Sequence, residues 1–136
     1  MNNFNKQKLN KIFKKNQIVL VYLFGSEIKG TSHKESDIDI GVLFGKKVIS
    51  EDYLKLEGML IGVFSEIFPK KEINIVNLNQ SSPLLKQTVI LEGKALYIRS
   101  EIERILFQIQ TLHQYEDYLH LDNIYNQFLK LKLKAI

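Results

Sequence analysis

The chain contains no cysteine. A disulfide framework and a thiolate metal site are therefore excluded. Long apolar runs are also missing. The stretch Ile18 to Phe24 is far short of the ~20 residues that cross a bilayer. The N-terminus is polar and rich in lysine, with no apolar core of a leader, so a cytoplasmic protein is expected. Arginine is scarce, with only Arg99 and Arg104. The lysines stand in small scattered groups, such as Lys14-Lys15, Lys46-Lys47 and Lys70-Lys71, and aromatics do not alternate with them. That pattern gives no dedicated nucleic-acid surface, although a net charge of +4 permits an acidic partner. There is no internal repeat and no low-complexity linker.

What is present suits one compact domain over residues 1–136, with C-terminal helices from about residue 100. Leu9, Ile12 and Phe13 put one apolar face on a helix over residues 5–15. Ile18 to Phe24 reads as a central strand covered on both faces. Ile40 to Phe44 reads as its neighbour. Ser50 is expected to cap a helix that ends at Pro69, with Leu56, Met59, Leu60, Val63, Phe64 and Ile67 as its core face. Residues 72–78 form a third strand. Ser82 and Pro83 open a helix that Gly93 closes at a C′ position, and residues 94–98 form a last strand. Ser100 to Glu103 has the pattern of a capping box. The helix it opens carries Ile102, Ile105, Leu106, Ile109 and Leu112 on one face, and a break is expected near Leu121-Asp122-Asn123. The order of elements predicts an α+β fold, a small mixed β-sheet with helices packed on it.

The informative stretch joins the first two strands. The first ends at Gly25-Ser26; ten residues follow, and then Asp37-Ile38-Asp39 leads into the second. Residues i and i+2 of a strand share a face, so Asp37 and Asp39 project side by side, opposite Ile38 and Ile40. Adjacent carboxylates repel unless a cation sits between them, and oxygen ligands of this kind suit Mg²⁺. A Gly-Ser turn offers close backbone, free N–H groups and a hydroxyl to a phosphate. Either piece alone is commonplace, the first as a turn and the second as a solvated strand edge. Lys29 and Lys34 could meet a triphosphate or simply be solvated, and His33 reads as an ordinary loop residue.

Gly25-Ser26, ten residues, then Asp37-x-Asp39 resembles the signature of the DNA polymerase beta-like nucleotidyltransferase superfamily, and within it the minimal nucleotidyltransferase (MNT) branch. Lys29-Gly30 and Ser36 also match that branch. Residues 73–79 resemble its third strand, and residues 82–97 its next helix and last strand. The resemblance spans roughly residues 15–120. It implies the polymerase beta-like fold and transfer of AMP from ATP. It implies Asp37 and Asp39 as catalytic Mg²⁺ ligands, and Gly25 and Ser26 as binders of the β- and γ-phosphates.

Two positions depart from the pattern. Asn74 stands where the family commonly has a third carboxylate, and an amide carries no charge and cannot act as a base. Glu72, two residues earlier on the same face, is a candidate substitute. Glu27 follows the Gly-Ser pair where an uncharged residue is more usual. Little of these 136 residues remains to build a second domain, so a partner is expected to bring the acceptor. Proteins of the branch are often antitoxins paired with HEPN ribonuclease toxins, and the active ones transfer AMP to a toxin tyrosine. The resemblance thus implies a HEPN-type toxin partner in a hetero-oligomer. Its alternative is an antitoxin that neutralises by binding alone, with Asn74 marking lost catalysis. Tyr115, Tyr118, Tyr125 and Phe128 are either a docking surface or core of the last helices.

Overall fold

A computed structural model describes residues 3–25 and 37–134. The elements are α1 (Asn3–Lys15), β1 (Ile18–Phe24), β2 (Ile38–Phe44), α2 (Tyr53–Ile67), β3 (Ile73–Asn77), α3 (Pro83–Glu92), β4 (Lys94–Ile98) and α4 (Glu101–Lys134). The four strands form one sheet in the order β3-β2-β1-β4. β1 is antiparallel to both β2 and β4, whereas β2 and β3 run parallel. The expected small mixed sheet with packed helices is borne out.

Alternation along β2 sorts its side chains. Ile38, Ile40, Val42 and Phe44 go to one face, where Leu9 and Phe13 of α1 and Leu60 and Phe64 of α2 cover them. Phe13 and Phe64 stack across that core with ring centroids 6.1 Å apart. Burying each such side chain stabilises the fold by about 1.5–3 kcal/mol. The other face carries Val19, Leu20, Tyr22 and Leu78 under Val89 of α3 and Phe107 of α4. Val19 and Leu20 both belong to this second cluster, because the β1–β2 register shifts between Ile18 and Leu20. With a helical layer on each side, β1 is covered as its apolar sequence predicts.

Helix ends differ from expectation at three places and agree at a fourth. Ser50 opens a 3-10 turn (Ser50–Asp52) instead of capping α2, and Asp52 precedes α2 without a side-chain cap bond. Ser82 does cap α3, its hydroxyl accepting from the Leu85 N–H at 3.2 Å. Gly93 closes α3 in an extended conformation rather than a left-handed one. A Cβ there would lie 2.5 Å from the Val89 carbonyl oxygen. Ser100 accepts from the Glu103 N–H at 3.4 Å, but the Glu103 carboxylate turns to Arg99 and leaves the box half made.

The break near Leu121-Asp122-Asn123 does not occur, because α4 is continuous over 34 residues. No Gly or Pro lies within it to interrupt the ladder. Ile102, Ile105, Leu106, Ile109 and Leu112 do fall on one side of α4, and all five are exposed. The side that docks carries Phe107 and Thr111, and Lys86 of α3 donates to the Gln114 amide oxygen. Among the described residues, no helix is long and apolar enough to cross a membrane.

Candidate active site

The site is built where β1 ends and β2 begins. Asp39 lies within β2, paired on one side with Phe24 of β1 and on the other with Asn74 of β3. Ile38 pairs with Ile73, so Asp37 and Glu72 stand one step outside the ladder. Asp37, Asp39 and Asn74 share the sheet face of α3 and α4, at an end those helices leave open. Asp37 is exposed and Asp39 half-buried.

The Asn74 amide nitrogen donates to both carboxylates, to Asp37 Oδ2 at 3.2 Å and to Asp39 Oδ1 at 3.3 Å. One neutral group therefore occupies the point on which two negative charges converge. β1 ends at Gly25 with φ +92°, a conformation that suits only glycine. A Cβ at Gly25 would overlap Asp39 Oδ2 and lie 3.2 Å from its Cγ. The strand end and the carboxylate are thus packed against each other.

Of the sequence-predicted site residues, Gly25, Asp37 and Asp39 are brought together. Ser26 lies outside the described residues, as do Glu27, Lys29, His33, Lys34 and Ser36. Glu72 does not complete a ligand set. Among the described residues, no three His, Cys, Asp or Glu side chains are grouped to hold a metal ion. A hard divalent ion nevertheless fits the donors that are here. Two carboxylates already reach a common hydrogen-bond donor, and an amide oxygen is attached to that donor.

An open cleft of about 640 Å³ lies at the opposite end of the sheet, beside Phe44, Arg99 and Phe107. Within it Arg99 pairs with Glu103 at 2.6 Å. That pairing raises the Arg99 pKa and lowers that of Glu103.

Among the described residues, a mixed four-stranded sheet carries paired carboxylates where β1 ends and β2 begins, in an α+β domain. Residues 7–102 match the polymerase beta nucleotidyltransferase family, and the chain belongs to that family. The chain is 30% identical over 118 residues to the protein adenylyltransferase MntA of Shewanella oneidensis, covering 85% of this chain and 81% of that one. It resembles a crystal structure of a toxin–antitoxin with AMP-PNP, at 28% identity and a TM-score of 0.68, over 92% of this chain and 98% of the other. It also resembles the complex of a tri-AMPylated Shewanella oneidensis HEPN toxin with its MNT antitoxin, at 25% identity and a TM-score of 0.63. That likeness covers 95% of this chain and 99% of the other. The resemblance to the MNT branch read from the motif is borne out.

Proposed function

We propose that this chain, acting as one unit over residues 1–136, is a Mg²⁺-dependent antitoxin. It transfers AMP from ATP to a tyrosine of a HEPN-type toxin. The observation that carries the proposal is the convergence of Asp37 and Asp39 on one point beside Gly25. The relatives named above, with their AMP-PNP and AMPylated toxin, support the choice of substrate and acceptor.

In this reading Asp37 and Asp39 hold the metal, which when bound supplies neutralising charge to the phosphates. The Gly25 backbone and the Ser26 hydroxyl receive the β- and γ-phosphates. The acceptor hydroxyl oxygen attacks the α-phosphorus in line. The bond from that phosphorus to the bridging oxygen breaks, pyrophosphate leaves, and the hydroxyl proton passes to water. Asn74 cannot take that proton. The domain therefore acts chiefly by positioning and by charge.

A second reading is an antitoxin that works by contact alone. It is favoured by Asn74, whose amide satisfies both carboxylates without a metal. The test is transfer of label from α-labelled ATP to the HEPN-type protein encoded beside this chain. Label that disappears in Asp37→Asn/Asp39→Asn supports transfer. A stable complex with no label, neutralised equally by both proteins, establishes contact.

A further inference from the structure

Asp39 is held from two sides. Its Oδ1 accepts from the Asn74 amide at 3.3 Å, and its Oδ2 lies where a side chain on Gly25 would begin. The ladder fixes the backbone on both flanks, since Asp39 pairs with Phe24 in β1 and with Asn74 in β3. Asp39 is thereby fixed, and an ion must come to it. Asp37 is exposed and stands one step outside the ladder, and its Oδ2 accepts from the same amide at 3.2 Å. An amide nitrogen carries two hydrogens and accepts nothing. Both hydrogens of Asn74 are spent, one on each carboxylate. The group on which the two charges converge is thus a donor, and an ion bridging the same two oxygens needs that position for itself.

We infer that Asn74 is a neutral placeholder for the metal ion, and that it admits the ion only together with the triphosphate. The inference deepens the proposed function and rests on it. Two neighbouring carboxylates repel each other, and the Asn74 amide relieves that repulsion by itself. A lone Mg²⁺ approaching the pair must break two charge-assisted hydrogen bonds and gains only two negative charges in return. It also gives up water reluctantly, and is usually held by one or two carboxylates together with substrate phosphates. A triphosphate brings several more anionic oxygens, and these tip the exchange toward the ion. A carboxylate in place of Asn74 acts in the opposite sense. It repels Asp37 and Asp39, gives them no hydrogen bond and draws Mg²⁺ in without nucleotide. Asn74 is accordingly a positioning residue. It keeps the two carboxylates converged until the ion borne by the nucleotide replaces it.

The experiment follows the full chain by NMR, with Mg²⁺ and α,β-methylene-ATP, which cannot release pyrophosphate, as probes. The side-chain amide signals of Asn74 are identified by their loss in Asn74→Ala. In the wild-type chain they are expected to stay in place in millimolar Mg²⁺ and to move when Mg²⁺ and α,β-methylene-ATP are added together. Asn74→Ala, read at the Gly25 backbone N–H, is expected to bind Mg²⁺ alone at least ~10-fold more tightly than wild type, because no hydrogen bond has to be broken. Asn74→Asp is expected to bind it more tightly still. The wild-type measurement stands even where a variant does not fold. Wild type that binds Mg²⁺ alone as tightly as Asn74→Ala overturns the inference. So do Asn74 signals that move with Mg²⁺ alone, or that stay fixed while ion and nucleotide bind together. If ion and nucleotide together do not bind at all, the inference and the transfer reading both fall. Asn74 signals that behave as expected, in a chain that passes no label to the toxin, overturn the transfer reading and uphold the placeholder.

Discussion

Gly25 and Asp39 are packed so closely that no side chain fits between them. A Cβ on Gly25 would overlap Asp39 Oδ2, and the backbone there has φ +92°. Gly25→Ala is expected to cost about 1–3 kcal/mol in strain. It should also push the Asp39 carboxylate from its place and reduce AMP transfer more than ~100-fold. Measuring transfer and Tm together checks this. A variant that loses stability yet transfers normally would show that the contact is purely structural.

Asn74 holds Asp37 and Asp39 with one amide. Asn74→Asp removes both donated bonds and adds a third negative charge. Without metal, the variant should be less stable by about 1–3 kcal/mol. Millimolar Mg²⁺ should then raise its Tm more than it raises that of wild type, because three carboxylates reward the ion more than two. Thermal scans with and without Mg²⁺ decide the matter; equal shifts would refute the proposed metal position.

Phe64 is fully buried between α1 and the sheet, stacked on Phe13. Phe64→Ala should destabilise by about 3–5 kcal/mol through lost transfer energy and the cavity left behind. Denaturant unfolding should show the loss in the midpoint with little change in slope. A loss under about 1 kcal/mol would contradict the described core.

Two serines separate a cap from a resemblance to one. Ser82→Ala should cost about 1 kcal/mol, since its hydroxyl accepts from Leu85 N–H. Ser50→Ala should cost only a few tenths, because no side-chain cap bond is made at the start of α2. Equal losses in a paired unfolding experiment would show the capping assignment to be wrong.

Hydrogen bonding to Arg99 lowers the Glu103 pKa. A carboxylate with a depressed folded-state pKa contributes stability above its unfolded value. That contribution disappears as pH falls through the folded value. The two side chains are about a third exposed, at 32% and 33%, so solvent holds the effect below about 1 kcal/mol. Glu103→Gln should lower Tm slightly at pH 7 and match wild type once the pH has fallen through the depressed folded-state value and Glu103 is protonated. A Tm difference that persists in acid would mean that packing, not charge, is responsible.

Much of the scaffold was legible because local rules and tertiary packing agree. β1 is apolar on both faces and becomes a central strand. The period of two in β2 put Asp37 and Asp39 together before any partner strand was known. Ser82-Pro83 gave the start of α3. Ser50 misled because a good capping residue says nothing about whether the chain enters a 3-10 turn first. Leu121-Asp122-Asn123 misled because polar residues weaken a helix by only tenths of a kcal/mol each, too little to break one that lacks Gly and Pro. Nor could the sequence tell which apolar side of α4 docks. Two stripes compete there, and the contact with α3 selects the one bearing Phe107.

The sequence by itself determined the strands, the glycine that ends β1 and the common face of the two aspartates. Each follows from period, steric freedom and charge within a short stretch. Only the tertiary structure set Gly25 against Asp39 and Asn74 between the two carboxylates. Those contacts depend on an antiparallel pairing with β1 and a parallel pairing with β3, and pairing register is a property of strands meeting in space.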